Sequence, residues 1–72
     1  MTKVFTYYEL QGTNPNLLVK CVNLGQALWN CNELKDQCKT LLLVEYQLYE
    51  EDGYLLSPDI TVIRQYREGK LI

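Results

Sequence analysis

The chain has no histidine, so the usual general base at neutral pH and the commonest metal ligand are both missing. Its single serine, Ser57, is followed by Pro58 and sits in no Gly-x-Ser-x-Gly elbow. There is no phosphate-cradling glycine loop. Three cysteines remain as nucleophiles or ligands: Cys21, Cys31 and Cys38. Without a histidine, none can form a Cys-His pair. On a helix, Cys31 and Cys38 would lie on the order of 10 Å apart, two turns at the usual rise. That is too far to share one zinc or to form a disulfide within a regular helix. They read as small core hydrophobes, as does Cys21. Their odd number and the lack of a Cys-x-x-Cys pair indicate free thiols in a reducing compartment. The chain is therefore expected not to be an enzyme, with no catalytic, cofactor-binding or metal-binding residues.

The residues that remain suit contact better than catalysis. Trp29 falls among Gln26, Asn32, Glu33 and Asp36, all polar, on the side of a helix opposite its apolar stripe. A tryptophan there reads either as a binding anchor, since Trp is enriched at interface hot spots, or as a ring folded over the helix edge. A second cluster is acidic and aromatic: Tyr49, Glu50, Glu51, Asp52 and Tyr54, with Glu45 below it. It reads either as a surface that steers toward a basic groove or as a solvated turn. Candidate protein-binding residues are thus Trp29, Glu33, Asp36, Tyr49, Glu50, Glu51, Asp52 and Tyr54. Arg64, Arg67 and Lys70 give the C-terminal end the opposite sign. Six tyrosines (Tyr7, Tyr8, Tyr46, Tyr49, Tyr54 and Tyr66) lie on or beside predicted strands. An open sheet face carrying Tyr, Phe5 and Leu would suit a protein partner or a dimer. Tyr is also an ordinary half-buried sheet residue.

These residues must be positioned by two hairpins and a helix. Residues 3–10 are aromatic and β-branched, as strands prefer. The turn-formers at 11–16 follow, then a second strand at 17–22. Leu24, Ala27, Leu28, Cys31, Leu34 and Cys38 form one stripe of period 3.6, predicting a helix over about residues 24–38. Asn23 is placed to cap it, with Gln26 completing a capping-box variant. Lys35 and Lys39 would lie near its C-terminal end. In the third strand, 40–50, Leu42, Val44, Tyr46 and Leu48 point one way. Leu41 and Leu43 break the alternation, which predicts cover on both faces at that end. Asp52-Gly53 signals a tight hairpin. A two-residue turn there would set Val44 opposite Thr61, one step off the apolar Ile60 and Val62. An extra residue at Ser57-Pro58 restores parity, which predicts a bulge or break at that point. The last strand runs over residues 60–67 and ends at Glu68-Gly69. The expected fold is a single α+β domain over residues 1–72, ordered β-β-α-β-β. Its antiparallel four-stranded sheet carries the helix on one face.

At 72 residues the chain buries only about 60% of its unfolded surface, a thin margin for stability. Net charge of −2 argues against a general nucleic-acid binder. No apolar run approaches the roughly 18 residues of a membrane span. Residues 1–6 lack the apolar stretch of a signal peptide, so a cytoplasmic protein is expected.

In overall style the chain is similar to small accessory proteins of phages and mobile elements, anti-CRISPR proteins included. These are short, mildly acidic, free of histidine-based sites, and built from hairpins packed on one helix. The resemblance covers architecture and assigns no functional residue. It implies a stoichiometric inhibitor that occludes a surface of a larger host complex. The expected partner is accordingly a protein, with homodimerisation as a further expectation. The alternatives are a nucleic-acid binder stacking bases on Phe5, Tyr7 or Tyr8 beside Lys20, Arg64 and Arg67, and a homodimeric accessory domain.

Overall fold

The β-branched and aromatic N-terminal run extends further than its composition suggests, because it finds ladder partners all along its length. In the computed structural model, which describes residues 1–72, β1 (Thr2–Thr13) pairs antiparallel with β3 (Thr40–Glu51) from Thr2↔Glu51 to Thr13↔Thr40. The turn expected over 11–16 shrinks to residues 14–16, because Gln11 and Gly12 pair with β2 (Leu17–Cys21) on one side and β3 on the other. The fold is α+β, one antiparallel sheet and one helix, but the sheet has six strands instead of four. The two additions are short. β4 (Tyr54–Leu55) continues the tip hairpin, and β6 (Lys70–Leu71) follows β5 (Asp59–Arg67) through a turn at Glu68-Gly69. Glu68-Gly69 therefore reverses the chain where it was expected to end the sheet. Both tight turns, Asp52-Gly53 and Glu68-Gly69, have positive φ at their two central residues, the pattern whose twist suits hairpins. The sheet order is β2-β1-β3-β5-β6, with β4 on β3.

Helix α1 (Leu24–Leu34) starts where expected. Asn23 Oδ1 accepts from the Gln26 N–H at 2.7 Å, and Gln26 Oε1 reaches back to the Val22 N–H at 3.4 Å. It stops four residues short of the predicted end at 38. Lys35 caps it, its N–H bonding Cys31 O, and Lys39 lies beyond, its N–H on Thr13 O at 2.9 Å. The physical cause is Gly12. The absence of a Cβ there leaves room for the Cys38 side chain, whose Sγ would stand 2.8 Å from such an atom. Cys38 thus packs on the sheet from a turn, not from the helix stripe, and is buried there.

The register change also appears where parity required it. Glu50↔Leu55 gives way to Gln47↔Asp59 with one extra residue between β4 and β5, so Val44 meets Val62 and Tyr46 meets Ile60. A second shift follows at Leu43/Val44, which leaves Ile63 unpaired.

Alternation then divides the sheet into two faces. Leu10, Leu41, Leu43, Cys21 and Tyr66 turn toward α1 and join Ala27 and Cys31 in the core. Phe5, Tyr7, Glu9, Leu42, Val44, Tyr46, Leu48, Ile60 and Val62 turn the other way. No helix lies on that second face, yet Val44 is 3% and Glu9 8% exposed on it, so the burial on both sides expected near Leu41–Leu43 occurs in part, through neighbouring side chains of the sheet itself. Leu41 and Leu43 break the alternating row because they are the ones that meet the helix. The molecule is elongated, 43 × 20 × 19 Å, with a radius of gyration of 13.7 Å. A compact chain of this length would have about 11 Å. The helix covers one end of the sheet. The other end, around Val4, Phe5, Leu55, Leu56 and Ile60, leaves those side chains exposed. No helix is long and apolar enough to cross a membrane.

Candidate functional site

Helix α1 sorts its side chains by period. Ala27 and Cys31 are buried, Leu28 and Leu34 half-buried, and Gly25, Gln26, Trp29, Asn32 and Glu33 face solvent. Trp29 is 67% exposed, so of its two readings the ring folded over the helix edge does not occur. Glu33 lies one turn further along the same surface. Asp36 does not extend this surface as a helix would. It lies past the helix end, its carboxylate against Gly69, a position open because Gly69 has no side chain.

The acidic and aromatic cluster forms the tip of the β3–β4 hairpin. It stands about 27 Å from Leu43 along β3, eight residues at strand rise. It and the Trp29 surface are therefore separate patches at different ends of the molecule. Glu51, Asp52 and Tyr54 are exposed, while Tyr49 and Glu50 are half-buried. The one ion pair in the chain joins the N-terminal ammonium to Asp52 at 3.8 Å, which leaves Glu50 and Glu51 without a cationic partner. The Tyr49 hydroxyl donates to Asp59 Oδ2 at 2.8 Å. That bond, then desolvation, pushes the tyrosine pKa up. Tyr49 thus ties the tip to β5 through its hydroxyl.

The uncovered sheet face is the surface that sequence reasoning described without placing. Tyr7 and Tyr46, paired across β1 and β3, stack with centroids 4.9 Å apart and planes 5° from parallel. Lys20 Nζ lies 6.0 Å over the Tyr7 ring from the β2 side. Gln11 Nε2 donates to Glu9 Oε1 at 2.8 Å and to the Tyr46 hydroxyl at 3.0 Å. Glu9 is only 8% exposed, and no buried side-chain polar atom lacks a partner. Around this network lie Phe5, Leu48, Ile60 and Val62, of which Phe5, Ile60 and Val62 are about half exposed. The sequence signal for this face was the Leu42, Val44, Tyr46, Leu48 alternation. It could not say which set of side chains α1 would choose.

The same geometry breaks up the set of residues a nucleic acid would use. Phe5, Tyr7, Lys20 and Arg67 lie on the open face, whereas Tyr8 and Arg64 lie on the helix face. Arg64 donates to the Tyr66 hydroxyl at 3.3 Å. One face of the Tyr7 ring is stacked on Tyr46, and Lys20 Nζ stands 6.0 Å from the ring.

The thiols are all buried and unlinked, as expected. Cys21 Sγ accepts from Asn30 Nδ2 at 3.3 Å. Burial pushes the Cys31 pKa up, against smaller opposing effects of Tyr66, Arg64 and Lys35. Its thiol is therefore protonated, and a poor nucleophile, at neutral pH. No three acidic or thiol side chains converge in a metal-ligating cluster. Comparison of the chain with protein-family models, curated proteins and solved structures finds no match.

Proposed function

We propose that the chain is a non-catalytic protein-interaction module, a small inhibitor of the phage accessory type that acts in the cytoplasm by occluding a surface of a larger host protein complex. One observation carries the reading: Trp29 stands 67% exposed among polar residues on a regular, capped helix. Holding the chain's only tryptophan in water gains the fold nothing, whereas the same ring seated in a partner's pocket would bury a large apolar area. The acidic tip, Glu50, Glu51 and Asp52, steers the approach to a basic partner surface and fixes orientation.

Affinity capture from a native lysate at low and at high salt tests this reading. Protein recovered in stoichiometric amount at both salt concentrations, and lost with Trp29→Ala, supports it. Recovery of nucleic acid alone, released by salt, contradicts it, because phosphate contacts weaken steeply with ionic strength.

A further inference from the structure

We infer that the uncovered sheet face is the interface of a homodimer, in which two copies pack face to face with their strands antiparallel. The inference uses the face opposite Trp29 and shares with the reading above only Glu50, so Ile60→Glu and Trp29→Ala are the variants that separate the two.

Size comes first. The face extends over the two longer dimensions of the molecule, 43 by 20 Å. That rectangle bounds the face at on the order of 800 Å², the area each partner contributes to an ordinary stable interface, and toward the tip only β1, β3 and β4 fill it. Phe5, Tyr46, Leu48, Ile60 and Val62 give it an apolar centre. Val44, at 3% exposure, shows how closely those side chains already pack.

Polarity comes second. Covering a charged group is costly unless its hydrogen bonds are already made. Near the centre of this face the buried carboxylate is Glu9, and Gln11 already binds it from within the same chain. Both bonds to Glu9, from Gln11 and Tyr46, end on Oε1, so a second copy has one carboxylate oxygen left to match and not a whole bare charge.

Charge fixes the arrangement. On the open face, Arg67 and Lys70 pair with each other across β5 and β6 at the end near Thr40. Neither has an ion-pair partner within the chain. Glu50 lies on the same face at the opposite end, beside Lys3 of β1, with the acidic turn at Glu51 and Asp52 beyond it. A two-fold axis along the strands would set like charges on like. An axis across the strands sets the Arg67–Lys70 end of one copy over the Glu50 end of the other, with Arg67 one strand and Lys70 two strands to the side of Glu50, within reach of long side chains for the nearer one. Glu50 and Thr40, the partner of Arg67, are equally distant from Glu45, about 17 Å each way at strand rise. The axis therefore passes close to the Tyr7–Tyr46 stack, at the middle of the apolar strip.

Sedimentation equilibrium over a wide concentration range, from micromolar upward, tests the inference. The wild-type chain is expected to move from 8.4 kDa to twice that mass. Ile60→Glu, at an exposed position the monomer tolerates, should raise the dissociation constant by at least about tenfold. Arg67→Glu and Glu50→Arg should each weaken the dimer, and the double reversal should recover it. Trp29→Ala should leave it unchanged. A wild-type chain monomeric throughout, a dimer indifferent to Ile60→Glu, or a double reversal without recovery would each overturn the inference. A monomer that still captured a partner through Trp29 would overturn the dimer alone. A dimer that captured none would leave the dimer standing and remove the inhibitor reading.

Discussion

Tyr7 and Tyr46 face each other across β1 and β3 as a nearly parallel pair, 4.9 Å between ring centroids, on the side of the sheet that no helix covers. The pair joins the middle of the two longest strands, and the Tyr46 hydroxyl also accepts from Gln11. Tyr46→Phe keeps the stack and should cost about 1 kcal/mol, the worth of one hydrogen bond. Tyr46→Ala removes both and should cost about 2 to 3 kcal/mol. Urea unfolding midpoints check this. Equal losses for the two variants would mean that the rings contribute nothing beyond the hydroxyl.

Gly12 and Cys38 make a second pair whose contact depends on a missing atom. A Cβ at residue 12 would meet Cys38 Sγ at 2.8 Å and Leu17 Cβ at 3.2 Å. Gly12→Ala should therefore destabilise by about 1 to 3 kcal/mol through overpacking. Adding Cys38→Ala should recover part of that loss, since the closest clash disappears. A double-mutant cycle with no coupling would contradict the packing described.

Tyr49 and Tyr8 predict a response to alkali. The Tyr49 pKa is raised first by its bond to Asp59, and that of Tyr8 first by desolvation and then by Glu45. A raised pKa favours the neutral hydroxyl in the folded state. The resulting stabilisation is complete below the ordinary tyrosine value, about 10, and is lost as pH rises through the folded values above it. Stability should thus fall above pH about 10 more steeply in the wild type than in Tyr49→Phe. Parallel pH profiles for the two would show that the Asp59 bond does not hold the hairpin.

Burial of Cys21, Cys31 and Cys38 predicts silent thiols. An aromatic disulfide reagent should label none of them in the native protein at neutral pH and all three in denaturant. Rapid labelling of one thiol in the native state would contradict this burial and reopen thiol chemistry for the chain.

Much of the fold was legible in the residues. The middle of the helix stripe, Ala27 to Leu34, the Asn23 cap, the Asp52-Gly53 turn and the parity break before β5 each follow from local rules, and each occurs, while Leu24 at the start of the stripe stays exposed. Three features needed information that local rules do not hold. The helix ends at Leu34 because Cys38 fits against Gly12, a contact 26 residues apart. β1 extends to Thr13 because its partners run that far, whatever the turn propensity of residues 11–13. The choice of Leu41 and Leu43 over Leu42 and Val44 for the helix face is made by parity with Leu10, which no single strand reveals. Of the candidate contact residues, Trp29, Glu33, Glu51, Asp52 and Tyr54 were placed in water as their polarity and turn positions suggested. Asp36 is exposed too, but beyond the helix and beside Gly69, whereas Tyr49 and Glu50 are half-buried on β3, Tyr49 with its hydroxyl on Asp59.

The central claim concerns Trp29, and quantitative capture with single-site variants tests it most directly. Wild-type chain and Trp29→Ala, both confirmed folded by circular dichroism, would be immobilised in equal amounts and exposed to the same native lysate. The account predicts a stoichiometric protein partner on the wild type, reduced at least about tenfold on Trp29→Ala and also weakened by Glu50→Lys with Glu51→Lys. Equal recovery of that partner on the wild type and on Trp29→Ala would contradict it, since an exposed tryptophan that no partner uses cannot be the anchor.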